Sequence, residues 1–261
     1  MNDKVSEKIN YSSQSIESCP FKLCLRNSDN PTVSECYFIE PTNKLRPIIF
    51  RRPDNLNKIK FVVVSQEPGV SARIDYKSNI EEMKRCWCEE LNSEDGSNKS
   101  SPISLMKEIF HNFDIYRDHV YWTHALKCIP WKTDKQIERD WIFCAPYCSE
   151  RLKEELKASS EEELVIITFG AYALTLILNI VKERESLCEI VKLKDWIDIN
   201  RVPYIKEFAY GSPSDAESKR SLRIYPFYHP AAYGLPDGYD TIKKKMINEI
   251  NAEISSSHKT L

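Results

Sequence analysis

Three short stretches combine a chemically capable side chain with an abrupt change of chain direction. Gln66-Glu67-Pro68-Gly69 sets a carboxamide and a carboxylate where a run of valines gives way to turn residues. Thr123-His124 and His229-Pro230-Ala231-Ala232 each place an imidazole at the end of an apolar run. A carboxylate held in a cleft by such a turn can stabilise a developing cation and position a water. A neutral imidazole with one nitrogen held as donor can stabilise negative charge. The cysteines are the second chemical resource. There are 9, an odd number, and the opening MNDKVSEKINYSSQSIES lacks the apolar core of a signal peptide. Reduced thiols in a cytosolic protein are therefore expected, rather than a disulfide framework. Four thiolates suit either a 4Fe-4S cluster or a structural zinc.

The elements that must position these residues follow from hydrophobic patterning. Residues 59–65 (IKFVVVS) and 164–169 (LVIITF) are short, nearly continuous apolar runs, as expected of strands buried on both faces. Residues 119–123 and 222–228 read as further strands, and 202–208 as a possible one within an ambiguous region over 186–220. Helical spacing marks 104–113, 134–156, 171–181 and 239–254, with a charged candidate over 77–91 running into the loop EDGSNKSSP. Alternating strands and helices predict an α/β fold, a single three-layer α/β/α domain with a mainly parallel central sheet. Ligands of such sheets sit outside the carboxyl ends of the strands. Three of the singled-out motifs lie at those ends.

Composition narrows the classes. Lys+Arg 37 against Asp+Glu 39 gives a net charge of -2, so a nucleic-acid partner requires a local basic face. Six glycines are sparse, and neither a GxGxxG nor a Walker sequence occurs. No apolar run approaches the ~18–20 residues of a membrane span. The domain is expected over 19–254, between a flexible segment at 1–18 and a tail at 255–261, in a monomer that does not engage membranes.

Taken together the motifs resemble the uracil-DNA glycosylase superfamily, and within it the iron–sulfur branch often called family four. The residues that carry the resemblance are VVVSQEPG, then YWTHALKCIP with Lys127, Cys128 and Pro130, then ITFGAYA and YHPAAYG. Their order and shared strand-end position span about residues 19–254. The resemblance implies a monofunctional DNA glycosylase that flips a base and hydrolyses its glycosidic bond. Glu67 falls on the position that holds the water in the best-known branch. The iron–sulfur branch usually has Gly there and Glu one position earlier, where this chain has Gln66, so Gln66 shares the candidacy. His229 is the expected donor toward O2 of the leaving base. Tyr233 and Leu235 are candidates for the wedge that fills the space left by the flipped base.

The pocket residues depart from that pattern. The family reads uracil with an Asn in Thr-Asn-x-x-Lys-Cys, and this chain has His124 instead. An Asn amide both donates and accepts, matching uracil O4 and N3–H, whereas an imidazole offers different donors and more bulk. Gly69 stands where the most uracil-strict branch carries a Tyr that blocks a 5-substituent. The branch's base-stacking Phe has no clear counterpart; Trp87 or Tyr76 is the substitute. The expected target is a DNA containing a non-standard base, such as a 5-modified cytosine of phage DNA, with ordinary uracil repair and a non-catalytic metal-bearing nucleic-acid-binding module as the alternatives. Cys128 and Cys144 have the spacing that the branch uses for two cluster ligands. Cys19 and Cys24 complete the expected set, although C-x4-C replaces the usual C-x2-C, and Cys36 and Cys148 are substitutes.

Overall fold

The structure is a computed structural model that describes residues 58–66, 102–110, 119–126, 159–183, 189–209, 219–230 and 234–257, with 141, 145–146, 148–150, 152–153, 155–157, 186–187 and 232. The candidate helix at 77–91 and the segments 1–18 and 258–261 lie outside the described residues.

Five strands form one sheet: β1 Phe61–Ser65, β2 Val120–His124, β3 Glu163–Phe169, β4 Tyr204–Ala209 and β5 Lys219–Phe227. Their spatial order is β2-β1-β3-β5-β4. The first four in that order run parallel, and β4 closes one edge antiparallel to β5. β1 and β2 are buried at every position, and β3 is buried from Leu164 onward. Such strands need cover on both faces.

Helices provide it. α1 (Pro102–Ile109) and α3 (Tyr239–Ser257) share one layer, tied to each other by Lys243 and Glu108. Phe110, just beyond α1, meets Phe61 of β1 edge to face with ring centroids 5.4 Å apart. α2 (Ala171–Ile180) belongs to the other layer, with the helical residues described within 141–157 packed against it. Trp141 meets Tyr172 at 4.9 Å, and Ser149 donates to the Asn179 side chain at 3.1 Å. The expected three-layer α/β/α architecture is what the chain adopts.

The charged contacts of β5 gather toward the amino end of its neighbour β3. Arg223 pairs with Glu163 of β3 at 3.0 Å and with Glu253 of α3. Arg220, buried, donates to the carbonyls of Leu156 and Ser159. These bonds tie helices to the sheet at the end opposite the carboxyl termini of the strands. That arrangement leaves the carboxyl ends for chemistry.

Between α2 and β4 the described residues are irregular apart from a 3-10 turn at Leu193–Asp195, and side chains hold them. The Thr175 hydroxyl donates to the Ala171 carbonyl at 2.8 Å and accepts from the Val191 amide at 3.0 Å. Trp141 Nε1 donates to the Leu187 carbonyl at 2.7 Å, and Lys245 reaches the carbonyls of Ile199 and Val202. Among the described residues, no helix is long and apolar enough to cross a membrane.

Candidate active site

The strand order creates the site. From β1 the chain passes to β2 on one side, then returns to β3 on the other. The point between β1 and β3 is therefore the topological switch point, outside whose carboxyl ends an open α/β sheet binds its ligands. Gln66 follows β1 at that point, and Gly170 follows β3.

Gln66 is fixed through its backbone. Parallel pairing of β1 with β2 sets Ser65 opposite His124 and continues past the strands, with Ala125 N–H donating to Ser65 O at 2.7 Å and Leu126 N–H to Gln66 O at 2.9 Å. Below it, the Ser65 hydroxyl accepts from Trp122 Nε1 at 2.8 Å in a buried setting. Trp122 in turn contacts Phe169, and Phe169 contacts Phe227, edge to face. This aromatic row locks the ends of β2, β3 and β5 relative to one another, with each such pair contributing roughly 0.5–1.5 kcal/mol beyond simple burial.

Gly170 sits between Gln66 and His229. A Cβ built on Gly170 would stand 3.4 Å from Gln66 Oε1 and 3.9 Å from His229 Cβ. Its φ of 92° and ψ of 168° lie where residues with a side chain are strained. Its N–H donates to Phe227 O at 2.9 Å, which ties the end of β3 to the end of β5. Three strand ends thus converge, and the absence of a side chain at the middle one leaves the gap between the carboxamide and the histidine open. In the sequence, Gly170 is the residue that directly follows the apolar run 164–169. Glycine between a strand and an apolar helix was the available signal.

His229 is half-buried, and burial lowers the pKa of its imidazole below the ordinary 6.5. Burial thus favours the neutral form of the ring. Its carbonyl accepts from Ala232 N–H at 2.8 Å, so the chain turns sharply just beyond it. Leu235, farther along the same loop, is 43% exposed, one of the few large hydrophobic side chains left in solvent among the described residues. His124 ends β2 and is buried there, 3% exposed.

The structure thus brings Gln66 and His229 together, places His124 on the far side of β1 and leaves Leu235 outward. Glu67, Gly69, Trp87, Tyr233, Cys19, Cys24, Cys128 and Cys144 lie outside the described residues. Among the described residues no group of three or more His, Cys, Asp or Glu is arranged to hold a metal ion. Cys148 is buried in the core cluster.

A carboxamide and a histidine that flank one glycine at a sheet's switch point are group types that can bind a polar planar group by its edge and stabilise charge developing on it. No curated protein matches the chain. The family model described as the Uracil DNA glycosylase superfamily matches residues 53–254, a span that contains all five strands, Gln66, Gly170 and His229. Members of that superfamily act on DNA as glycosylases. The match extends over well more than half of the sequence, and the chain belongs to the uracil DNA glycosylase superfamily.

Proposed function

We propose that the protein is a monofunctional DNA glycosylase that hydrolyses the N-glycosidic bond of a flipped non-standard base, and that the base is a cytosine with a 5-substituent. The observation that carries the enzymatic part is the convergence of Gln66 and His229 on either side of Gly170.

The chemistry divides among these residues by type. As the bond between the sugar C1′ and the base nitrogen lengthens, its electron pair leaves with the base and the sugar becomes cationic. The Glu67 carboxylate, next in the chain to the anchored Gln66, offsets that cation and holds the water that adds to C1′. The proton lost from the water passes to the carboxylate. Neutral His229 donates a hydrogen bond to O2 of the departing base, where negative charge collects. Gln66 contributes a carboxamide that both donates and accepts toward the same edge. No lysine is needed, because no Schiff base forms. Leu235 and Tyr233 are the proposed wedge, entering the stack as the base leaves it.

The proposed target rests on His124 and Gly69. A site built for one hydrogen-bonding edge rejects a mismatched edge strongly, since its buried polar groups are left without partners. His124 in place of an Asn disfavours the uracil edge, and Gly69 adds no bulk against a 5-substituent. An enzyme with that preference acts in defence against modified phage DNA.

Cys19, Cys24, Cys128 and Cys144 are proposed to hold a 4Fe-4S cluster, whose function is to pin the N-terminal segment beside the 128–144 segment. Four thiolates are a donor set that such a cluster accepts. No step of the hydrolysis passes through it.

The test is direct. Duplexes carrying uracil, a thymine mismatch or a 5-modified cytosine are incubated with the protein and probed for abasic sites. Cleavage of the modified cytosine with weak action on uracil supports the proposal, and His124→Asn should raise uracil excision at the expense of the modified base. Brisk removal of uracil alone makes the protein an ordinary repair enzyme. No abasic site in any duplex makes it a binding module.

A further inference from the structure

Just before His229, at the end of its strand, Tyr228 makes a contact with a residue eleven positions further on. β4 begins at Tyr204, opposite Ile224, so β5 runs on past the end of its edge partner. Phe227 turns its carbonyl to Gly170 on the β3 side. Successive residues of a strand direct their polar backbone groups to opposite sides. Pro226 and Tyr228 therefore face the side where β4 has ended. Pro226 has no N–H to satisfy there, as suits a position without a partner strand. Tyr228 has one, and a buried amide requires an acceptor. That acceptor is the Tyr239 hydroxyl, 3.1 Å away.

The same two residues also touch through their rings. Tyr228 and Tyr239 meet edge to face, with centroids 4.9 Å apart and an interplanar angle of 85°. Tyr239 is 5% exposed and opens α3, a helix of 19 residues that is held to β5 by Glu253 and to α1 by Lys243. The loop bearing His229 and Leu235 thus leaves the sheet at Tyr228 and rejoins the fold at Tyr239, and these two residues grip each other across its base. The turn bond from Tyr239 N–H to Pro236 O at 3.1 Å sets the returning arm.

We infer that Tyr239 is a positioning residue: its hydroxyl fixes the Tyr228 amide, and through it holds the His229 ring against the gap at Gly170 while closing the base of the loop that carries Leu235. This rests on His229 acting in base release as proposed above. Tyr239 touches neither base nor sugar in this scheme. A hydrogen bond to a tyrosine hydroxyl is well suited to the task, because the ring supplies a rigid buried arm and the hydroxyl oxygen a directed acceptor.

Tyr239→Phe is the appropriate perturbation, since it retains the ring contact and removes only the acceptor. In the DNA-free protein, hydrogen exchange at the Tyr228 amide should quicken about 3- to 10-fold, the range expected for loss of one neutral hydrogen bond. The His229 ring resonances should broaden or split, with the fold's other resonances in place. Single-turnover base release at saturating DNA should slow by about the same 3- to 10-fold factor, with DNA affinity nearly unchanged. The decisive arm is the double variant. If Tyr239 acts through His229, then Tyr239→Phe has no further effect on the rate in a His229→Ala background, whereas a merely structural role would slow both backgrounds alike. An undiminished effect in that background overturns the inference, as do an unchanged Tyr228 amide and an unchanged His229 ring. Absence of base release in the wild type would instead remove the glycosylase reading, and the amide and ring measurements would still decide whether Tyr239 holds His229.

Discussion

Replacing Gly170 with alanine separates two effects that meet at one atom. The backbone there has φ 92° and ψ 168°, a region almost confined to glycine. A residue with a side chain held there costs about 1–3 kcal/mol. The steric part is small by comparison, because the new methyl would sit 3.4 Å from Gln66 Oε1 and 3.9 Å from His229 Cβ, which are ordinary contact distances. The stability loss should therefore come almost entirely from the backbone. For a domain of this size, each kcal/mol lowers Tm by roughly 2–4 °C, so the variant should melt about 2–12 °C below wild type. Activity should fall for the other reason. The methyl occupies the gap between the carboxamide and the imidazole, and small displacements of positioned groups are costly, up to about 10²-fold for 1 Å. A loss of about 10-fold is expected at a temperature where both proteins are fully folded. Gly234 supplies the comparison, with a positive φ of 67° but nothing within 4 Å of its built Cβ. Alanine at Gly234 should lower stability by about 1–2 kcal/mol without entering the gap. Chemical unfolding reads the first effect and single-turnover base release the second. A Gly170→Ala protein that melts with the wild type would show that the strand end does not require this conformation. One that melts early but keeps the full rate would show that the gap is not where the chemistry occurs.

Glu67→Gln and His229→Ala should each slow base release by roughly 10²–10⁴-fold while DNA binding persists, since phosphate contacts supply most of the affinity; near-normal turnover removes the residue concerned from the mechanism. Burial keeps the folded His229 below its ordinary pKa of 6.5, so the unfolded chain takes up the proton first as pH falls. Stability should decline on going down from about pH 6.5 toward the folded value, and His229→Ala should lose that component; the two proteins showing the same pH dependence in urea unfolding would contradict it. Protein purified without oxygen should be brown and carry about four irons, and Cys128→Ala or Cys144→Ala should lose colour and fold poorly; a colourless protein with one zinc would replace the cluster with a structural zinc site.

The parts of the fold that were legible in the sequence are those where one interaction dominates. FVVVS and ELVIITF are buried on both faces, so hydrophobicity alone marks them, and Gly170 marks where β3 must stop. β4 was only a possible strand because it is an edge. Its residues alternate between covered and exposed, from Phe208 at 3% to Ile205 at 62% exposure, and no continuous apolar run announces it. The strand begins two residues later than its pattern suggests and runs one residue further. The segment between α2 and β4 resisted reading for another reason. Its shape comes from Thr175, Trp141 and Lys245, each reaching backbone groups from elsewhere in the chain. Spacing cannot encode a bond between an indole and a carbonyl 46 residues away.

The site shows the same division. Gln66 and His229 could be singled out because each follows a strand, but their meeting depends on β3 lying between β1 and β5. Neighbouring strands are ~4.8 Å apart, so the backbones of β1 and β5 are separated by two intervals, ~10 Å. That is too far for a carboxamide and an imidazole to serve one planar group if the intervening strand end fills the space. A side chain at residue 170 would fill it. Glycine at that position, held by its own N–H to Phe227, turns the central strand end into the floor of a gap whose walls are its two neighbours. His124 lies one interval beyond β1 on the opposite side, so whatever it contributes to choosing the base must reach the gap past Gln66. If His124 reads the base as proposed, it does so together with Gln66. His124→Asn should therefore alter specificity fully only while the space beside Gln66 stays open, and pairing it with Gly170→Ala, whose methyl would fill that space in contact with Gln66 Oε1, should erase much of the switch. An undiminished switch in the double variant would mean that His124 reads the base independently of the strand-end gap.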